Sequence, residues 1–181
     1  MIDAVRLLET YYAPESSAYS ILLGHSRAVA AMAVRIARRL GSEVDAVFVE
    51  EAALLHDIGI CATHAPQIGC RGTLPYICHG LEGRKLLEKE GLPCHALVCE
   101  RHIGVGLSAA EIRDQGLPLP VRDMLPLSLE EQIITYADLF FSKNPRQVPG
   151  VKTVEQVRKA LLRHGPDKVA IFDGWHTRFG G

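Results

Sequence analysis

The stretch ILLGHSRAVAAMAVRIARRL, residues 21–40, decides how the chain is read. Ile21, His25, Val29, Met32 and Ile36 fall three or four residues apart and share one face of a helix, with Arg35, Arg38 and Arg39 on others. Helical spacing of apolar residues continues outward from it. A second helix is predicted from about Val44 to Asp57, ending before Gly59. Pro66, Gly69, Gly72 and Pro75 punctuate a loop over 60–78. A helix then runs from about His79 to Glu90 and stops at Gly91, and another spans Pro93 to His102, with Pro93 suited to a first turn. Ser108 and Glu111 have capping-box spacing and open a short helix, and Ser128 and Glu131 open one through about Ser142. Between them GLPLPVRDMLPL, residues 116–127, carries three prolines and must be extended. NPRQVPG, residues 144–150, reads as a loop. Thr153 and Gln156 start another helix, and Pro166 begins the last, ending near Phe179. No segment alternates with a two-residue period between turns, so the expected class is all-α.

The length of 181 residues suits a single domain over 1–181. Hydrophobic residues at 48% are ample for a core, and a formal charge of −1 gives no electrostatic reason to expect nucleic acid as a partner. No apolar run approaches the roughly 18–20 residues that span a bilayer, so no membrane partner is expected. The start, MIDAVRLLETYY, lacks the basic and apolar regions of a signal peptide. Five cysteines without a CxxC pair fit reduced thiols, and the expected location is cytoplasmic.

Metal-ligand residue types stand at helix ends or on apolar faces: His25, the pair His56-Asp57, His79, His102 and Asp138. Asp138 lies four residues after Ile134 and three before Phe141, so it points with the core-facing side chains. An unpaired buried carboxylate would cost several kcal/mol, so it must be paired, protonated or metal-bound. His25 lies between Ile21 and Val29 in the same predicament, and Asp57 follows Ala53 by four on a helix rich in Ala, Leu and Val. Three polar groups directed into one small core suggest a shared cation. Imidazole and carboxylate suit iron, zinc, manganese or cobalt better than calcium. Taken singly, each residue has an ordinary explanation. A core histidine can be hydrogen-bonded, and Asp138 can pair with Arg27 or Arg101.

In order, His25, then His56-Asp57 in LLHDIGI, then Asp138 in TYADLF resembles the H…HD…D signature of the HD phosphohydrolase superfamily. His79 and His102 match the longer pattern of its two-metal members. The likeness covers about 19–143, leaving C-terminal helices over about 151–179 outside it. LPYICHG, CERHIGVGL and LEEQIITYADLFFSK look like small HDIG proteins of bacteria. The resemblance implies an HD-type helical bundle with one or two divalent ions (Fe, Mn, Co or Zn). It implies that His25, His56, Asp57 and Asp138 hold the first ion, that Asp57 bridges to a second on His79 and His102, and that His56 and Asp57 lie at the catalytic centre.

The chemistry so implied is hydrolysis of a phosphoester or phosphoanhydride in a nucleotide or other small phosphorylated metabolite. An arginine or lysine should clamp the phosphate, with Lys143, five residues after Asp138, as first choice and Arg71 and Arg101 next. Two alternatives stay open: a di-iron oxygenase of the kind that uses a similar ligand set, and a non-catalytic module that senses a nucleotide. Of the other histidines, His95, seven residues before His102 and on nearly the same face, reads as a stand-in for it or a hydrogen-bond partner of the cluster, His64 as a residue at the entrance, and His164 and His176 as surface or packing residues. Cys70, Cys78 and Cys99 read as small buried hydrophobes rather than zinc ligands.

Overall fold

A computed structural model describes residues 2–143 and 150–180. The loop expected over 144–150 thus falls almost wholly outside the described residues. Nine α-helices are present among them: α1 Ala4–Tyr11, α2 Ser17–Leu40, α3 Ala46–Leu55, α4 His79–Lys89, α5 Pro93–Arg101, α6 Ala109–Asp114, α7 Leu129–Asp138, α8 Val154–Leu162 and α9 Pro166–Phe179. The protein is all-α.

Six of the nine helices, α1, α2, α3, α6, α7 and α8, start on a side-chain cap. Asp45 accepts from the amides of Val47 and Phe48 at 2.9 and 3.0 Å, which begins α3 at Ala46 rather than Val44. Full capping boxes stand at Ser108/Glu111 and Thr153/Gln156. At α7 only half of the expected box forms. Ser128 caps the Glu131 amide, but the Glu131 carboxylate turns to the Leu127 amide and to Arg101 instead. Thr153→Ala should remove the bond from the Gln156 amide to the threonine hydroxyl, and with it about 1 kcal/mol of stability. A melting temperature lower by about 2–4 °C, followed by circular dichroism, would register that loss.

Three details differ from the sequence reading. Within the loop after α3, His64–Ala65 and Cys70–Arg71 pair as a two-residue antiparallel hairpin, β1 and β2, too short to show alternation. Helix α3 ends at Leu55, and a 3-10 turn takes over at Ile58–Ala62. Helix α7 ends at Asp138, not near Ser142. There the Leu139 and Phe140 carbonyls accept from Lys152 (the Nζ at 3.1 Å and the backbone amide at 2.9 Å), so partners from the α8 side replace another helical turn.

The core lies in two main parts. One gathers Val29, Ala33, Ile133, Ile134, Tyr136 and Phe172, joining α2, α3 and α7 to α8 and α9. The other gathers Leu8, Leu22, Leu55, Ile58, Leu87 and Cys99, joining α1, α2, α4 and α5. The segment Ser17–Glu43 is long and apolar enough to cross a membrane, with a mean hydropathy of 1.2, although arginines interrupt its apolar residues. In the fold 56% of that window is buried, and it serves as the central core helix.

Gly59 and Gly83 decide how closely the 3-10 turn meets α4. A Cβ at position 59 would overlap the Gly83 amide nitrogen and the His79 carbonyl oxygen, and one at 83 would press on Cys99. Two glycines in register therefore let the backbone after Asp57 lie directly against the first turn of α4, where His79 stands.

Candidate metal centre

Each of the six sequence-selected residues reaches one buried point from a different place in the chain. His25 comes from the middle of α2, His56 and Asp57 from the exit of α3, and His79 from the start of α4. His102 caps α5, and Asp138 ends α7. His56 and Asp57 have no exposed surface, and His25, His79 and His102 are also buried.

Their donor atoms fall into two sets. In the first, Asp57 Oδ2 lies 3.3 Å from His25 Nε2 and 3.1 Å from His56 Nε2. Asp138 Oδ1 lies 2.9 and 3.5 Å from the same two nitrogens. In the second, Asp57 Oδ1 lies 3.5 Å from His79 Nε2 and 3.4 Å from His102 Nε2. Within each set the donor atoms all stand within 4.8 Å of one another, and Asp57 belongs to both.

The hydrogen bonds on the far sides of the rings decide what the near sides offer. His56, His79 and His102 each direct Nδ1 at the carbonyl three residues back, of Ala53, Tyr76 and Cys99, at 2.6, 2.7 and 2.8 Å. In neutral rings, Nδ1–H donates there and leaves the Nε2 lone pair aimed into the cluster. Yet Nε2 faces Nε2 at 3.4 Å between His25 and His56, and at 3.2 Å between His79 and His102. Both oxygens of Asp57 and Oδ1 of Asp138 are buried and accept no hydrogen bond of good geometry among the described residues. At the His79–His102 pair, lone pairs crowded together beside the buried Asp57 carboxylate are a poor arrangement for protons and a good one for cations. The donor set therefore fits divalent metal.

The local electrostatics are split. Burial disfavours the imidazolium of His56, but the Asp57 and Asp138 carboxylates outweigh it and push the pKa up to about 10. Burial dominates at His79, with His102 and Lys143 adding to it, and pushes the pKa down to about 3. Burial would raise Asp57 and Asp138, but chiefly His56 and Lys143 for Asp57, and Lys143 and His25 for Asp138, hold both well below the usual carboxylate range.

The three cations proposed from sequence have different settings. Lys143 Nζ pairs with Asp57 Oδ2 at 2.7 Å and reaches Asp138 Oδ1 at 3.8 Å. Arg101 is engaged by Glu131 at 2.9 and 3.1 Å. Arg71 is exposed on β2, and it is not among the residues lining the two clefts beside Lys143. One cleft, of about 500 Å³, opens along His25, Gly24 and Phe141. The other, of about 270 Å³, opens along Tyr76, Gln67 and Lys152. Sequence reading passed over Tyr76, whose ring packs 4.7 Å from His79 and whose carbonyl orients it. Its position three residues before His79, on a turn into α4, was the available signal.

The other histidines lie elsewhere. His95 pairs with Glu51 at 3.2 Å and packs on Phe48, His64 and His164 are exposed, and His176 bonds Tyr136 Oη at 2.8 Å. Cys70, Cys78 and Cys99 are buried free thiols, and burial raises the pKa of each.

A helical bundle that closes four histidines and two aspartates around one buried point defines a class, the His/Asp metal-binding helical domains. A model of the HD domain matches residues 22–141, and the chain belongs to the HD domain family. It is 35% identical over 147 residues to an uncharacterized protein of Methanocaldococcus jannaschii, covering 78% of each chain. It is also 29% identical to a tRNA (cytidine(56)-2'-O)-methyltransferase of Thermoplasma volcanium, covering 93% of this chain, and 32% identical to one of Picrophilus torridus, covering 67%. The chain spans only 45% and 32% of the length of those two proteins. These relatives are archaeal, whereas the sequence motifs looked like those of bacterial proteins. In fold it is similar to the HD domain of the L. monocytogenes phosphodiesterase PgpH, solved in complex with cyclic-di-AMP. That match has a TM-score of 0.56 and 16% identity, covering 98% of this chain and 88% of that one.

Proposed function

We propose that the chain is a metal-dependent phosphohydrolase that cleaves a phosphoester or phosphoanhydride in a small phosphorylated substrate such as a nucleotide. The observation that carries this reading is the division of Asp57 between two donor sets, Oδ2 toward His25 and His56 and Oδ1 toward His79 and His102. Two divalent ions would fit that division, with His25, His56, Asp57 and Asp138 to hold one and Asp57, His79 and His102 to hold the other. Divalent ions there would supply Lewis acidity and a water acidified toward neutral pH.

The chain's own residues do the rest. Asp57 and Asp138 set the negative charge of the site, and the three Nδ1–carbonyl bonds keep the rings from turning away. Lys143 lines both clefts and would meet a phosphoryl oxygen with a charge-assisted contact. Membership in the HD domain family supports the reading, and so does the phosphodiesterase named among its structural neighbours. The methyltransferase activity named for the two longer relatives is not carried over, because this chain spans less than half of either.

With manganese, cobalt or iron supplied, the protein should release phosphate or a nucleoside phosphate from some member of a panel of nucleotides, dinucleotides and simple phosphoesters. Silence across that panel, together with substrate-dependent oxygen uptake, would replace this reading with an oxygenase.

A further inference from the structure

Lys143 is placed to do something besides meeting a substrate. Its ammonium lies 2.7 Å from Asp57 Oδ2 and 3.8 Å from Asp138 Oδ1, and its side chain is only 16% exposed. Two carboxylates enclosed together repel each other and are costly to desolvate, and a buried cation between them offsets both effects. The segment that carries it is itself anchored. Helix α7 stops at Asp138, the Phe141 amide bonds back to the Asp138 carbonyl at 3.0 Å, and Lys152 holds the Leu139 and Phe140 carbonyls. Lys143 lines both of the clefts that open beside the cluster.

A divalent ion taken up by His25, His56, Asp57 and Asp138 would use the same Oδ2 that the ammonium now touches. At such separations like charges repel strongly, and a low-dielectric surround amplifies the repulsion. We propose that Lys143 is the counter-ion of the Asp57–Asp138 pair in the metal-free protein and that it competes with the metal for these carboxylates. Its presence therefore steadies the metal-free fold and weakens metal binding. On loading, the ammonium is displaced toward the clefts, where a substrate phosphate would meet it. This inference rests on the metal-binding part of the proposed function and is independent of which reaction follows.

The test uses Lys143→Met, which keeps the length of the side chain, and Lys143→Gln, which keeps a hydrogen-bond donor but no charge. Chelator-stripped wild type and variants are titrated with Mn²⁺ by calorimetry, and each is melted in EDTA. Both variants should bind the tighter Mn²⁺ ion at least about tenfold more strongly than wild type, and both should melt several degrees lower when stripped. A side chain that merely supported the fold would move affinity the other way. Variants that fold with Mn²⁺ yet bind it no more tightly than wild type overturn the competition, and so do variants that fail to fold even with Mn²⁺ present. Wild-type protein that binds no Mn²⁺ would instead overturn the metal reading beneath it.

Discussion

Asp57→Ala is expected to purify without bound divalent metal and to show no turnover, the largest functional effect of any single change in the chain. The residue is wholly buried and its two oxygens face different partners, Oδ2 toward His25, His56 and Lys143 and Oδ1 toward His79 and His102. Alanine takes a shared ligand and its charge from both donor sets at once. His79→Ala or His102→Ala removes a ligand from one set only, and those variants should fold and keep close to one ion per chain. Metal stoichiometry by mass spectrometry on chelator-free preparations separates the cases. An Asp57→Ala protein with the full wild-type metal content would show that the two sets do not share this carboxylate. Because bound metal stabilises only the folded state, Asp57→Ala should also melt below wild type.

The second large effect belongs to Gly59. A methyl group there would overlap backbone atoms of Gly83 and His79, which have no flexible end to yield. Gly59→Ala must push the 3-10 turn off α4, opening the packing of Ile58 and Leu87 and drawing His79 away from Asp57. A cost of about 3 kcal/mol or more is expected, with a melting temperature lower by on the order of 10 °C and metal binding weakened alongside it. A Gly59→Ala protein with wild-type stability would show that the turn and α4 can part without loss. Gly174, where a Cβ would meet nothing within 4 Å, is the matched control in another helix.

Much of this architecture was legible because periodicity and punctuation agree. The apolar face of α2, Pro93 at the start of α5, and the boxes at Ser108 and Thr153 each mark an element through purely local chemistry. His25, Asp57 and Asp138 were singled out because buried polar groups at helical spacing conflict with their surroundings unless something pairs them, whereas His56, His79 and His102 joined them through residue type and the resemblance to the HD signature. What local chemistry could not supply was the partner across space. Glu131 was read as half of a capping box, but Arg101, from another helix, competes for its carboxylate. The end of α7 was placed too late because Lys152, which holds the carbonyls there, is distant in sequence. The Gly59–Gly83 contact and the hairpin at His64–Arg71 arise only when separate segments meet.

The carbonyl that steers each of three histidines lies only three residues before it, in the same turn of chain. Each such ring is therefore aimed by its own turn of chain and not by another element, much as a blade is set in its own handle. The packing of the helices sets only how far apart the rings stand. Metal affinity then becomes a gauge of tertiary fit, because a change that shifts α3, α4 or α5 by a fraction of an ångström carries its ring along as a rigid unit. Such a change would register in metal titration while the helical content of the protein stayed the same.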